Sequence, residues 1–347
     1  MFKPLHKKSK KLSAHRKNET NDIVKRKGII TANRVHLTKY PIDNPVAIFN
    51  PSIITENDKI TIYGRIVLGY FTYASAIAEI SVGIEDIYNR LPTHYTAEIT
   101  VYPDSKFDVW GVEDPRVYEI DGMRLLTYCG RTVNYFDPSV RVERTLPVTA
   151  IFDGEKWRKL CVFRMPVELR GFTISDKDAF IVKIKDRLKL FHRPHMKDEK
   201  FYLVISNIPK DVLEFKECKE VSIKSPALAF DQAKFEEKIG WGTPPVKIDG
   251  EYLLLLHGVD AVTKCYRVFA ILMNEEGEVT AVTPYYIMEP KENYEIYGDR
   301  PFTVYPCGAV IIDEKLIISY GAADCAIGMG EIDITEIMSI LDSNRII

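Results

Sequence analysis

The stretch at residues 111–131, GVEDPRVYEIDGMRLLTYCGR, combines the residue types that proton transfer and anion binding require. Its acidic pair, Glu113 and Asp114, precedes a proline and Arg116, and a further arginine, Arg131, ends the second strand-like segment. A positioned carboxylic acid can transfer a proton to a reacting group, and an arginine can hold an anion through two parallel hydrogen bonds. Such groups act together only when a scaffold fixes their separation.

A repeat of about 64 residues predicts that scaffold. Each copy contains a strand, a tight turn with an aspartate and a second apolar strand. The turn aspartates are Asp58, Asp121, Asp186, Asp249 and Asp313, at spacings of 63, 65, 63 and 64 residues. A fixed period is typical of repeat architectures, and each unit is long enough for a four-stranded blade. The repeat therefore predicts an all-β fold, a five-bladed β-propeller. The alternative, a β-sandwich, would require accidental spacing.

The repeat also predicts where polar side chains meet. Seven residues before the turn aspartates stand Pro51, Asp114, Ala179, Gly242 and Pro306. Equivalent positions of five blades should form a ring at one end of the central channel. Polar residues flank this ring or end the second strands: Asn50, Ser52, Arg65, Glu113, Arg116, Arg131, Lys177, Asp178, His192, Arg193, His257, Asp260 and Asp324. We therefore expect one polar axial pocket.

Length and composition narrow the class of protein. The chain has 347 residues, 46% of them hydrophobic, and a formal net charge of −2, which gives no support to nucleic-acid binding by the whole chain. No apolar run reaches the length of a membrane span, and no signal-peptide pattern is present. The six scattered cysteines lack metal-ligand spacing and are typical of a cytoplasmic protein. No motif predicts a cofactor or a metal.

Residues 1–28 differ from the rest because they are basic and almost free of large apolar groups. We predict a flexible arm there and a single propeller domain over residues 29–347. The segment after the arm is expected to supply the strand that closes the last blade. Helical spacing predicts short helices at residues 231–238 and at residues 334–343, near the end of the domain.

Seven motifs in phase with the repeat resemble glycoside hydrolase family 130. They are FNPSI (49–53), GVEDPR (111–116), LFHRP (190–194), KIGWGTPPVK (238–247), LLHGVD (255–260), YPCGAV (305–310) and YGAAD (320–324). The resemblance covers about residues 44–331. It implies a five-bladed propeller and an enzyme, because the family contains β-mannoside phosphorylases, which are glycosyltransferases of the phosphorylase type, and β-mannosidases.

The resemblance implies inverting phosphorolysis of a terminal β-mannoside, of manno-oligosaccharide or mannosyl-glucose type, to α-mannose 1-phosphate. Phosphate is then the nucleophile and co-substrate, so one carboxylic acid suffices, and the match to the EDPR motif implies Asp114. The candidate phosphate ligands are Arg131, Lys177, His192 and, as a second arginine, Arg144 or Arg141. The candidate sugar ligands, which can pair with hydroxyl groups, are Asn50, Ser52, Arg65, Glu113, Asp260, Tyr305 and Asp324. Asp324 could instead cap a turn, and Trp110 and Trp241 are either sugar platforms or core residues.

Two other function classes stay open. An inverting hydrolase needs a second carboxylate to activate water, and Glu143, Asp176 and Asp178 lie beside proposed phosphate ligands. A non-catalytic propeller would instead present a binding face to carbohydrate or to another protein. The expected partners are an oligosaccharide and phosphate, without nucleic acid or a membrane, and assembly into a homo-oligomer is left open.

Overall fold

The computed structural model describes residues 2–6 and 12–346 and contains five small sheets arranged as a five-bladed propeller. The first twelve strands are β1 (Lys3–Pro4), β2 (Lys25–Thr31), β3 (Val35–Thr38), β4 (Ala47–Glu56), β5 (Lys59–Val67), β6 (Ser75–Gly83), β7 (Tyr95–Val101), β8 (Val112–Ile120), β9 (Met123–Arg131), β10 (Thr145–Phe152), β11 (Trp157–Arg164) and β12 (Thr173–Ile184). The others are β13 (Arg187–Met196), β14 (Leu203–Asn207), β15 (Lys219–Ser222), β16 (Lys224–Phe230), β17 (Glu236–Trp241), β18 (Val246–Ile248), β19 (Glu251–Asp260), β20 (Tyr266–Met273), β21 (Val279–Val282), β22 (Val304–Ile312), β23 (Lys315–Ala322) and β24 (Ala326–Asp333).

Each sheet is one blade, so the predicted fold class is confirmed. Blade 1 contains β4 to β7, blade 2 contains β8 to β11, and blade 3 contains β12, β13, β14 and β16. Blade 4 contains β17 to β21, with β17 and β18 both paired to β19, and blade 5 contains β22, β23, β24 and β2. The strands β3, β15 and β1 add to blades 1, 2 and 3 in parallel orientation.

Short helices lie between the strands. In residues 2–6 and 12–346 the α-helices are Ile84–Tyr88, Val167–Arg170, Asn293–Ile296 and, after β24, Ile334–Asp342, and the 3₁₀ helices are Ser13–His15, Ala32–Arg34 and Lys210–Glu214. Asp333 begins the helix Ile334–Asp342 by accepting a hydrogen bond from the Glu336 N–H. The helix predicted at residues 231–238 is wrong, because β17 starts at Glu236 and pairs with β19.

Two-residue turns join β4 to β5, β8 to β9, β12 to β13, β18 to β19 and β22 to β23, and they correct the phase of the repeat. The first turn residues are Asn57, Asp121, Lys185, Asp249 and Asp313, all with φ between 46° and 52°. They follow one another at intervals of 64 residues throughout. Tight hairpin turns require positive φ at this position, so the backbone conformation is the repeated feature. Asp58 and Asp186 therefore occupy the second turn position, one residue later than predicted.

The described part of the predicted arm packs on the propeller, which differs from the expected flexible segment. β2 pairs antiparallel with β24 and completes blade 5, so the closing strand begins at Lys25, inside the predicted arm and earlier than expected. Before it, Ile23 and Val24 are buried, and Arg16 donates a hydrogen bond to Glu236 of blade 4 at 2.6 Å. Apolar residues set among the lysines and arginines make this packing favourable. Residues 1 and 7–11 of the predicted arm lie outside the described residues.

Apolar side chains fill the spaces between the blades. In β19, residues Leu253, Leu254, Leu255 and Leu256 are all buried, because both faces of a blade are covered by its neighbours. Such close packing holds the inner strands rigidly around the channel. Within the described ranges, no helix is both long enough and apolar enough to cross a bilayer.

Candidate active site

A β-bulge near the start of the first strand re-aims one polar side chain in each of blades 1, 2 and 3. Asn50, Asp114 and Asp178 stand 64 residues apart and have φ values of 47°, 51° and 53°. The strand register shifts at each of them. A bulge leaves one residue unpaired and turns its side chain, and Asn and Asp tolerate this left-handed conformation. The predicted ring is thus confirmed at Asp114 and lies one residue earlier in blades 1 and 3.

The bulges border a cavity of about 410 Å³ at one end of the channel. Its cationic side chains are Arg65, Arg131, Lys177, Arg193, Lys238 and Arg300, and its carboxylates are Glu113, Asp114, Asp299 and Asp324. Positive charge therefore exceeds negative charge along its wall, which favours an anionic ligand. A larger cavity of about 560 Å³ is lined by other segments of the inner strands, including Ile53, Val117 and Val182, and contains none of the predicted site residues. The smaller cavity is therefore the candidate active site.

Asp114 is held by one oxygen and free at the other. Its Oδ1 accepts hydrogen bonds from Asn50 Nδ2 at 2.7 Å and from Arg65 Nη1 at 3.1 Å. Within the described part of the chain, Oδ2 has no hydrogen-bond partner. Since the Oδ1 lone pairs are engaged, Oδ2 is the oxygen that can carry a proton to a ligand in the cavity.

Glu113 pairs with three cations that line the cavity. Its buried carboxylate accepts hydrogen bonds from Arg65 at 2.9 Å, from Lys177 at 3.1 Å and from Arg131. Burial acts to raise the pKa of Glu113, but the positive charges of Arg65, Lys177 and Arg131 outweigh it and hold that pKa well below its usual range. The predicted sugar ligand is therefore positioned as an anchor for the cations.

Arg131 retains an unused donor. Its Nη2 donates to Glu113, whereas its buried Nη1 has no hydrogen-bond partner among residues 2–6 and 12–346. A buried donor without a partner costs about 1–3 kcal/mol. A ligand oxygen at Nη1 would remove that cost, so this arginine and the adjacent Lys177 form a candidate anion site.

Further cations line the cavity: Arg193, which was expected in the axial pocket without an assigned role, and Lys238 and Arg300, which were not among the predicted site residues. Arg193 donates to the buried Asp178, and Arg300 pairs with Asp324 at 3.2 Å. Lys238 Nζ lies 4.7 Å from the centre of the Phe201 ring, and it has no ion pair within the described residues. Burial lowers the pKa of Lys238, and the nearby Arg193 lowers it further. The sequence feature that could have identified Lys238 as a site residue is its position at the start of the motif KIGWGTPPVK. Arg300 lies in a loop without a motif.

Comparison with known proteins identifies the family. A family model described as β-1,4-mannooligosaccharide phosphorylase, the model of glycoside hydrolase family 130, matches residues 14–343. The chain belongs to glycoside hydrolase family 130. The resemblance found in the motifs is therefore confirmed, and the protein is an enzyme of this family.

Relatives within family 130 cover most of the chain. A β-1,2-mannobiose phosphorylase of Thermoanaerobacter sp. (strain X514) is 27% identical, across 86% of this chain and 96% of its own length. A 1,2-β-oligomannan phosphorylase of the same organism is 26% identical, across 67% of this chain and 72% of its own. The solved β-1,2-mannobiose phosphorylase of Listeria innocua has a TM-score of 0.71 at 18% identity, covering 93% of this chain and 98% of that one, so it shares the fold.

The structure brings most of the predicted site residues of this family 130 enzyme together. The cavity contains Asn50, Arg65, Glu113, Asp114, Arg131, Lys177, Tyr305 and Asp324. Tyr305 also donates to Asp178 and accepts from Arg116 at 3.2 Å. The buried polar groups behind Tyr305 therefore hold its ring in one orientation.

His192 and Arg144 differ from their predicted places, since neither lines the cavity. His192 is buried between Asp176, 2.7 Å from Nδ1, and Ser206, 2.8 Å from Nε2. It alternates with Arg193, which faces the cavity, because successive strand residues point to opposite faces. Arg144 donates to the carbonyl groups of residues 134, 135, 137 and 140 and so braces its own loop. Its alternative, Arg141, pairs with Glu199 on the surface.

Ser52 and Asp260 also lie outside the cavity. Ser52 accepts a hydrogen bond from the Val117 N–H at 2.9 Å and so joins blades 1 and 2. Asp260 caps a turn, because its Oδ1 accepts from the Val262 and Thr263 N–H groups. Trp241 is a core residue, fully buried, and Trp110 is not part of the cavity wall.

Asp324 gives a pH-dependent prediction. Burial raises its pKa to about 6, against the opposing charges of Arg300 and Arg65. The folded protein therefore binds this proton more tightly than the unfolded chain, whose Asp pKa is about 3.9. The carboxylate then lowers the free energy of unfolding as pH rises from about 4 to 6. Relative to wild type, Asp324→Asn should gain about 2 kcal/mol of stability between pH 4 and 7.5. Urea unfolding at both pH values measures this, and a pH-independent difference would contradict it.

Proposed function

We propose that the protein cleaves a terminal β-mannoside with inorganic phosphate, inverting the anomeric carbon and releasing α-mannose 1-phosphate. The observation that carries this proposal is that Asp114 lines the same cavity as Arg131 and Lys177, the two cations that pair with Glu113. Relatives that cover most of the chain are phosphorylases, which supports it. No metal or organic cofactor takes part in the proposed reaction.

The geometry suits one displacement step. Arg131 Nη1 and Lys177 Nζ would hold phosphate, and a phosphate oxygen would form a bond to the anomeric carbon as the glycosidic C–O bond breaks. Asp114 Oδ2 would supply the proton that the departing oxygen takes up, directly or through a sugar hydroxyl group. Phosphate carries its own negative charge, so the step needs no residue to activate the nucleophile.

Hydrolysis on the same fold has weaker support. An inverting hydrolase would need a second carboxylate free to activate water, about 6.5–9.5 Å from the acid. The three candidates from the sequence have other partners: Glu143 bonds Arg164, Asp176 bonds His192, and Asp178 bonds Arg193. None of them lines the cavity. The other carboxylates that do line the cavity are also engaged: Glu113 pairs with three cations, Asp299 accepts a hydrogen bond from Tyr73, and Asp324 pairs with Arg300.

We further propose a β-1,2-linked substrate, because relatives named as β-1,2-mannobiose and 1,2-β-oligomannan phosphorylases cover most of the chain. The description of the family model names β-1,4 linkages instead. The test incubates the protein with β-1,2- and β-1,4-mannobiose, each with and without phosphate, and identifies the products. Mannose 1-phosphate formed only with phosphate supports phosphorolysis. Free mannose released at the same rate without phosphate would overturn it.

Arg131→Lys should weaken phosphate binding selectively. The variant keeps the charge but loses the planar fork that binds Glu113 and a ligand oxygen together. Charge-assisted hydrogen bonds contribute about 1.5–3 kcal/mol, so the apparent KM for phosphate should rise about ten- to a hundred-fold. The KM for the sugar should change little, and initial rates at varied phosphate and sugar measure both. Arg141→Lys on the surface is the matched control. An equal rise in both KM values would reject the phosphate role.

A further inference from the structure

Three loops from different blades form one side of the cavity mouth. They are residues 68–74 of blade 1, residues 132–144 of blade 2, and residues 283–303, which lead into blade 5. Tyr73 of the first loop donates a hydrogen bond to Asp299 of the third at 2.6 Å. The rings of Tyr73 and Tyr135 have centroids 5.9 Å apart, which links the first loop to the second. The three loops therefore form one continuous surface.

These loops carry aromatic side chains that the fold leaves uncovered. We call Tyr70, Phe71, Tyr73, Tyr135, Phe136 and Tyr297 the aromatic wall. Phe71 is 91% exposed, Tyr70 77%, Tyr297 71% and Phe136 63%. Single exposed apolar residues are ordinary, but a group of them beside a cavity marks a binding surface. Tyr73, Tyr135 and Phe136 line the cavity itself, and the exposed Tyr70, Phe71 and Tyr297 stand within three residues of lining residues on the same loops.

The wall is braced from behind. Arg144 donates to the Asn134, Tyr135 and Val140 carbonyl oxygens, and to that of Asp137. The Tyr73 N–H donates to the Gly69 carbonyl and closes a tight turn that carries Tyr70 and Phe71 at its tip. Rings held in fixed positions bind a ligand at low cost in conformational entropy.

The orientation of the bound oligosaccharide determines which of its sugar units contact the aromatic wall. Asp114 protonates the bond behind the terminal mannose, so that sugar must lie within the cavity and the rest of the chain must leave through the mouth. The C–H faces of pyranose rings pack against aromatic rings, while Asp299 and Arg300 at the same edge can bond hydroxyl groups. A neutral sugar chain therefore fits both the apolar wall and its polar edge.

We propose that the aromatic wall binds the sugar units on the leaving side of the scissile bond, including the second and later ones, and that the enzyme prefers manno-oligosaccharides of three or more units to the disaccharide. This inference rests on the proposed function. It assigns Tyr70 and Phe71 at the outer end of the wall to units that a disaccharide does not reach, and Tyr135 and Phe136 to the first unit beyond the bond.

The test compares phosphorolysis of manno-oligosaccharides with two, three and four units, in the linkage that the enzyme cleaves. We expect kcat/KM to rise about tenfold from two to four units, as one or two stacking contacts would allow. The double variant Tyr70→Ser, Phe71→Ser should reduce kcat/KM for the tetrasaccharide about tenfold more than for the disaccharide. Val167→Ser, which alters an exposed apolar residue outside the wall, should behave like wild type at every length.

A second measurement separates the possible failures. Calorimetry of Asp114→Asn in phosphate-free buffer, with the disaccharide and with the tetrasaccharide, measures binding at the wall separately from the proposed reaction. If no product depends on phosphate but the tetrasaccharide still binds more tightly than the disaccharide, the proposed function is rejected and the sugar-binding role of the wall is supported. Equal binding and equal kcat/KM at all lengths would overturn the wall. Loss of a solution dimer in the double variant, without any length effect, would also overturn it by showing that a second copy covers the surface.

Discussion

Asp114→Asn is expected to lower the rate of phosphorolysis by about two to four orders of magnitude, which is the usual contribution of a general acid. Asparagine has no carboxyl proton to give. It can still accept the hydrogen bonds that Asn50 and Arg65 donate to Oδ1. The φ of 51° at this bulge suits asparagine as well as aspartate, so the variant should fold normally. Rates at saturating substrate and phosphate, with a thermal melt, measure the effect.

A substrate with a better leaving group distinguishes a lost proton from a distorted site. An activated aryl β-mannoside needs little protonation, so Asp114→Asn should lose far less rate on it than on a manno-oligosaccharide. Asp342→Asn is the matched control, because this carboxylate lies outside the cavity and pairs with Arg345 on the surface. Nearly normal turnover of the natural substrate by a folded Asp114→Asn protein would show that another group supplies the proton.

Glu113→Gln should lower the free energy of unfolding by about 3–5 kcal/mol, the usual cost of removing one partner from a buried ion pair. The substitution leaves Arg65, Arg131 and Lys177 without their shared anion. Because the pKa of Glu113 is held below its usual range, its contribution is present above the unfolded pKa of about 4.3 and is lost as pH falls through the folded value. The difference between the proteins should therefore be largest at neutral pH.

Added phosphate should partly replace the missing carboxylate, since a ligand that binds only the folded state stabilises it. Urea unfolding of Glu113→Gln in phosphate and in chloride of equal ionic strength tests this. The stabilisation by phosphate should be larger for the variant than for wild type. Glu199→Gln, which removes an exposed partner of Arg141, should cost no more than about 1 kcal/mol. A Glu113→Gln protein as stable as that control would reject the role of Glu113 as an anchor.

The phase of the repeat predicted blade number and the place of Asp114 because both depend on backbone conformations that recur every 64 residues. Phase could not predict side-chain direction. His192 and Arg193 are adjacent in a strand, and only pairing geometry decides that the arginine faces the cavity. Asp260 instead accepts hydrogen bonds from N–H groups of the turn that follows it, and the motif did not indicate this role.

Loop residues were the hardest to predict. Arg300 and Tyr73 come from connections between strands, and they reach the cavity through contacts with other loops. The repeat carries no information about such contacts, because each loop differs from its counterparts in length and composition. Lys238 could have been predicted as a site residue, because it is the first residue of a motif. The direction of its side chain, however, depends on the pairing of β17 with β19.

Because β2 completes blade 5, the propeller can close only after β24 has been synthesised. β2 leaves the ribosome early, yet its partner β24 is made roughly 300 residues later, which takes about 15–60 s at 5–20 residues per second. During that time the nascent chain exposes an unpaired strand and an open ring. Blades 1 to 4 can form as they emerge, whereas closure must wait for β24, Ala326–Asp333. A stop codon or a ribosomal stall before residue 326 would leave β2 without its partner, and the product would be prone to pair with other nascent chains instead.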